Sequence, residues 1–300
     1  MIPRLLLTTL CLCSVITPAL ASTRNEPLAV FHLEPHPGGT AMMTVRASVR
    51  GHGGRFMFDT GGGISYISPA FAQKVGCKAW GQISGFTLTG QRLDMPRCDG
   101  LAFDVQGRTF NAPIAGVFDI MKFMPPNVPV LDGSIGLDVF AGRAITLSLA
   151  ERTLTLESRA SLAARMKRGR EVRIRLVREA EGVALTVVVG VVTSEGTAWM
   201  EIDSGNGGAN VIARHLAPLL NVKTGIKEPQ PASFSLVGGI PVIGNVRVNE
   251  TLIMDGNIGT RFLVSWDLTL DLEKSRAWLA PAKQPLAGLK QKIRLPFAVQ

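Results

Sequence analysis

Arg55-Phe56-Met57-Phe58-Asp59-Thr60-Gly61 and Ala198-Trp199-Met200-Glu201-Ile202-Asp203-Ser204-Gly205 are two versions of one instruction. Each is a short run of bulky, mostly apolar residues, the composition of a β-strand, ending in Asp, a small hydroxyl residue and Gly. Upstream of the first stands Ala41–Ser48 (AMMTVRAS), joined to it by the glycine turn Gly51-His52-Gly53-Gly54. Upstream of the second stands Val183–Val189 (VALTVVV), joined by Ser194-Glu195-Gly196. Both halves read strand, tight turn, strand, Asp-Ser/Thr-Gly, which is the mark of an internal repeat.

Downstream the parallel continues. Ser134-Ile135-Gly136-Leu137-Asp138-Val139-Phe140 leads into AITLSL (Ala144–Leu149) and RTLTL (Arg152–Leu156). Asn257-Ile258-Gly259-Thr260-Arg261-Phe262-Leu263 leads into LTLDL (Leu268–Leu272) and RAWL (Arg276–Leu279). Each is an apolar-Gly segment, a helical or turn stretch, then a β-hairpin. The interval from Asp to the Ile-Gly pair is 76 residues in the first half (135 − 59) and 55 in the second (258 − 203). The halves share a plan but not a length.

An apolar strand that ends in Asp-Thr/Ser-Gly delivers a carboxylate to a tight turn. Gly61 and Gly205 have no Cβ, so such a turn can come close to a twin turn or to a substrate. Thr60 and Ser204 carry short hydroxyls able to hydrogen-bond backbone across from them. Two carboxyls held a few Å apart do not both ionise readily, so one proton is shared between them.

These motifs resemble the retropepsin-like and pepsin-like aspartic peptidases, in a bacterial exported form with two retropepsin-like units in one chain. The resemblance implies an all-β fold of two similar β-barrel lobes in a bilobal architecture. It makes Asp59 and Asp203 the catalytic pair. Thr60, Gly61, Ser204 and Gly205 become the dyad-supporting residues, with Ile135-Gly136 and Ile258-Gly259 bracing the motif loops from below. The implied reaction is hydrolysis of a peptide bond by a water activated between the two carboxyls, with no cofactor and no metal. The lobes would be residues 22–160 and 161–300, in a monomer acting on a peptide or protein.

The glycine-rich continuation of both loops departs from that pattern: Gly61-Gly62-Gly63, and Gly205-Asn206-Gly207-Gly208. Loose loops position a dyad badly, and small misplacements are costly. This keeps open an inactive peptidase-fold protein that binds peptides or another exported partner. A flap over the cleft is expected at Gly81–Gly90 or Phe234–Gly239. The only tyrosine, Tyr66, lies too close to the first motif to serve as a flap tyrosine.

The remaining features bound the setting. Residues 1–21 have the layout of a secretory signal peptide: Arg4, the apolar run Leu5–Ile16, and Ala19-Leu20-Ala21 as a small-x-small cleavage pattern. No later stretch is long and apolar enough to span a bilayer. A secreted or periplasmic location follows. Of four cysteines, Cys77 and Cys98 lie beyond the signal, and an oxidising compartment favours a disulfide between them. The formal net charge of +9 falls by one when Arg4 is removed. No basic block with interleaved aromatics points to nucleic acid. Arg159 to Arg175 holds seven Lys and Arg and reads as a solvated linker between the halves. His32 and His36 have ligand-like spacing only on a helix, and their Pro/Gly-rich surroundings argue against one. Trp80, Trp199, Trp266 and Trp278 read as core or cleft wall.

Overall fold

The computed structural model describes residues 25–36 and 42–283. The proposed signal peptide lies outside these residues. The architecture is all-β and two-lobed, with short helices at strand ends.

The first lobe is a closed ring of six strands. Met43–Val49 pairs antiparallel with His52–Phe58, which runs parallel to Gly133–Ile135. That strand pairs with Tyr66–Ile67, then come Arg108–Val117 and Arg92–Val105. The ring shuts where Ser48 and Val49 pair with Asp104 and Phe103. The turn after Met43–Val49 is shorter than the sequence suggests. Only Arg50 and Gly51 form it, and Gly53 and Gly54 lie within the next strand. Gly54 stands in the strand as a packing glycine: a Cβ there would lie 2.9 Å from the Phe71 ring and 3.1 Å from Asp132 Cβ. Phe56, Phe71 and Phe103 fill this barrel with edge-to-face contacts. Cys77 and Cys98 are joined by the disulfide, with Cα atoms 6.2 Å apart.

The second lobe repeats the order with weaker closure. Thr186–Thr193 pairs with Gly196–Ile202, which runs parallel to Gly256–Ile258. Asn210–Ala213, Pro241–Asn249 and Gln230–Ser235 follow. Ile174–Val177 pairs on the outer side of Thr186–Thr193, and the closure to the other end of the sheet is short, one bridge between Val191 and Leu236 with backbone hydrogen bonds beside it. The second flap candidate, Phe234–Gly239, belongs to this closure: Leu236 is fully buried, and Val237 N donates to Gly190 O.

A third sheet joins the lobes. The hairpin of Ala144–Ser148 and Thr153–Leu156 from the first half meets the hairpin of Trp266–Asp271 and Arg276–Pro281 from the second. The two meet antiparallel, with Thr146 opposite Thr269 and their hydroxyls 2.9 Å apart. The basic seam is more ordered than a solvated linker. Ser158 and Ser161 cap a helix over Arg159–Arg168 in a reciprocal box. That helix carries Arg165 onto the buried Glu157 (3.1 Å) and towards Asp267 (3.7 Å). A carboxylate withdrawn from water needs such a counter-charge, and the run of basic residues supplies it.

Candidate active site

The strands His52–Phe58 and Gly196–Ile202 end facing each other across the lobe boundary, and their terminal turns interlock. Thr60 Oγ1 donates to Ile202 O (2.7 Å) and accepts from Ser204 N (3.0 Å). Ser204 Oγ donates to Phe58 O (3.0 Å) and accepts from Thr60 N (3.0 Å). Four hydrogen bonds thus tie two loops 144 residues apart, all buried. A Cβ on Gly61 would lie 2.6 Å from Asp203 Cγ, and one on Gly205 2.7 Å from an Asp59 oxygen. Glycine is required at both positions by contact with the opposite carboxyl.

Asp59 and Asp203 are brought together and buried, each 8% exposed. Gly61 N donates to Asp59 Oδ1 (2.9 Å). Asp203 is better supplied: Gly205 N (2.7 Å) and Asn206 N (3.1 Å) reach Oδ1, and Asn257 Nδ2 (2.8 Å) reaches Oδ2. Donors of this kind favour the ionised form. Burial first, then the charge of Asp203, pushes Asp59 well above the usual carboxylate range. The two carboxyls therefore sit in unequal settings, with more hydrogen-bond donors at Asp203 than at Asp59.

The Ile-Gly segments lie directly behind. Asp59 N donates to Ile135 O (3.1 Å) and Asp203 N to Ile258 O (2.9 Å). Gly136 N donates to Ser65 Oγ and Gly259 N to Asn210 Oδ1, each at 3.0 Å, so a small polar residue braces both loops. The glycine-rich continuations are also fixed. Leu185 N, from the second lobe, donates to Gly63 O (2.7 Å). Thr260 N and Oγ1 both donate to Asn206 O (2.9 and 3.1 Å).

The first flap candidate is a hairpin built from Trp80–Phe86 and Arg92–Val105. Its turn reaches the second lobe, where Ile253 N donates to Leu88 O (3.0 Å). Ile83 and Met95 from this hairpin pack with Ile64, just past the first motif, and with Ala184 of the second lobe. Trp80 is not core: it is exposed, with the Arg97 guanidinium over its ring at 4.5 Å.

Sequence reading missed the residues behind the pair: Tyr66, Glu201, Asn206, Asn257 and the Ser65–Asp138 contact. Glu201 was the legible one. It is a charged residue in the strand ending at Asp203, in the place Met57 occupies in the first copy.

The fold and site together define an all-β, two-lobed chain with a buried acidic pair where its lobes meet. No family model and no curated protein matches it. Among solved structures, basic 7S globulin from soybean shares the fold with a TM-score of 0.53 at 12% identity, covering 89% of this chain and 99% of that one. Conglutin gamma, a basic 7S globulin from lupine seeds, does so with a TM-score of 0.53 at 10% identity, covering 86% of this chain and 96% of that one.

These findings correct the family expected from the motifs. The chain is not placed among the retropepsin-like or pepsin-like peptidases; its likeness is in fold alone, to the two basic 7S globulins over nearly their full chains. The physical reason is that Asp-Ser/Thr-Gly is a local turn chemistry, short enough to arise in many settings. The lobes are also not two equal units: one ring is closed, the other barely so, and a shared sheet fuses them.

Proposed function

We propose that this protein is an exported endopeptidase that hydrolyses peptide bonds through a water activated by Asp59 and Asp203, with residues 22–160 and 161–300 as its lobes. The single observation that carries the reading is the interlocked pair of Asp loops. Two carboxyls in unequal hydrogen-bonding environments face each other, braced by four reciprocal bonds from Thr60 and Ser204. Preorganisation of this kind is what proton-transfer chemistry needs and a surface turn does not.

The roles follow from the donors. Asp203, the carboxyl with three donors, takes a proton from the attacking water. Asp59, carrying the shared proton, hydrogen-bonds the scissile carbonyl oxygen, which gains charge as the tetrahedral intermediate forms. The proton taken from water then passes to the leaving nitrogen.

A second reading has one observation in its favour: both comparison structures bear the names of seed globulins rather than of enzymes. It is a protein that binds peptides or another exported partner across the same loops without cleaving them. Mixed peptide libraries incubated with the mature protein, and with Asp59→Asn and Asp203→Asn, separate the two. Hydrolysis that both substitutions abolish supports the peptidase; binding without hydrolysis, unchanged by either, supports the alternative.

A further inference from the structure

The two carboxyls of the pair have different polar neighbours behind them. The strand ending at Asp59 and its parallel partner place Met57 beside Ser134. The equivalent strands in the second lobe place Glu201 beside Asn257. Behind Asp59, Ser134 Oγ donates to Met57 O (3.3 Å) and meets the Tyr66 hydroxyl. Behind Asp203, Asn257 reaches two carboxyls at once: its Nδ2 donates to Asp203 Oδ2 (2.8 Å) and to Glu201 Oε2 (3.1 Å). Its Oδ1 accepts from Asn206 Nδ2 (2.8 Å), which fixes the amide in that orientation. Asn257 is fully buried and Glu201 is 4% exposed.

We propose that Glu201 is a positioning residue that, through Asn257, sets how tightly the Asp59–Asp203 pair holds its shared proton. This rests on reading the two as a proton-sharing pair. The groups facing Glu201 are acidic or neutral on its near sides. Asp203 lies on its own strand, Asp59 across the lobe boundary, and Glu179 on a neighbouring turn; burial and these charges hold Glu201 well above the usual carboxylate range. On the adjoining strand Val188 stands opposite, and Arg175 lies one strand further, its guanidinium 3.9 Å over Trp199. The negative charge that appears when Glu201 loses its proton is therefore answered by no adjacent cation among the described residues. It makes loss of the remaining dyad proton harder and keeps the pair half-protonated to higher pH.

The test is a titration of the mature protein with ¹³C-labelled Asp and Glu carboxyls, followed by NMR, in wild type, Glu201→Gln and Asn257→Ser. Glutamine keeps the acceptor facing Asn257 but carries no charge. Serine copies the first lobe and cuts the link while leaving Glu201 in place. The upper transition of the Asp pair is expected to fall by about 1 pH unit in Glu201→Gln, a roughly tenfold weaker hold on the proton, and to rise in Asn257→Ser, which takes a donor from Asp203 and leaves the Glu201 charge in place. Upper transitions unchanged in both variants, with native-like spectra, overturn the proposal. Peptide cleavage measured alongside keeps the readings apart. A titration shift in a wild type that cleaves nothing contradicts the peptidase and leaves the coupling established. If there is cleavage, its alkaline limb moves down with the titration, whereas a purely structural Glu201 lowers kcat without moving that limb.

Discussion

The two lobes present nearly the same backbone to the shared site and quite different supports behind it. In the first, the ring of strands is closed by pairing of Ser48 and Val49 with Asp104 and Phe103, and a disulfide pins Cys77 to Cys98. In the second, the closure is one bridge between Val191 and Leu236 with a few backbone hydrogen bonds beside it. The loop braces match in geometry and differ in chemistry: Ser65 with the carboxyl of Asp138 on one side, Asn210 on the other. The lesson is that a duplicated backbone can hold two carboxyls symmetrically while side chains one layer back make them unequal. That inequality lies in the donors, three at Asp203 against Gly61 N at Asp59, and under the proposed function it sets which carboxyl acts as base.

Three sets of substitutions separate the contributions of the two lobes. The largest stability effect is expected from removing the device that only the first lobe has. Cys77→Ala with Cys98→Ala should cost about 3 kcal/mol for a closed loop of this length, read by denaturant unfolding. Hydrogen exchange should then show first-lobe strands no better protected than second-lobe ones. Protection that stays unequal would mean the strand pairing alone accounts for the difference.

Next come the reciprocal bonds. Thr60→Ala and Ser204→Ala each leave a buried backbone N–H and a buried carbonyl without a partner, at about 2 kcal/mol apiece. A displaced carboxyl should also slow hydrolysis by about 10²-fold. The two substitutions should cost alike. A clear inequality between them would show that the lobes do not share the load evenly.

The smallest effect concerns pH. Asp138 stands where the second lobe has Arg261, and burial, opposed by hydrogen bonds from Ser65, pushes it from its ordinary 3.8 up to about 6. The folded protein thus holds this proton more tightly than the unfolded chain does. The associated stability is full below about 3.8 and is lost as pH rises through about 6. Asp138→Asn should flatten the fall in unfolding free energy between pH 4 and 6, by on the order of 1 kcal/mol after allowance for the partly open side chain, read by denaturant unfolding at each pH. An unchanged slope would assign that pH dependence to Glu201 and the pair.

Most of the fold was legible because the chain states it twice. Strand, turn, strand and Asp-Ser/Thr-Gly recur with the Ile-Gly segments, and period-two alternation with glycine punctuation gave the strands. What the sequence hid was of four kinds. Gly53 and Gly54 read as turn because glycine usually breaks strands, but the packing of Phe71 and Asp132 left no room for a side chain. The seam read as a solvated linker because its charge suggested exposure; the buried partners of Arg165 lie far away in sequence at Asp267 and just before the helix at Glu157. The two motifs suggested a family because they carry chemistry, whereas family likeness lies in the many positions between, which match no family model. Glu201 and Asn257 stood in plain view in the repeat, but their meeting depends on parallel pairing of strands more than 50 residues apart.

The account stands or falls on the shared carboxyl pair. Cleavage of a peptide library by the mature protein should be followed from pH 3 to 8, beside Asp59→Asn and Asp203→Asn. The account predicts hydrolysis by the wild type and a loss of about 10²–10⁴-fold in either variant, since each removes one half of the proton transfer. Hydrolysis that survives both substitutions, or a folded wild type that cleaves nothing across the range, would contradict it.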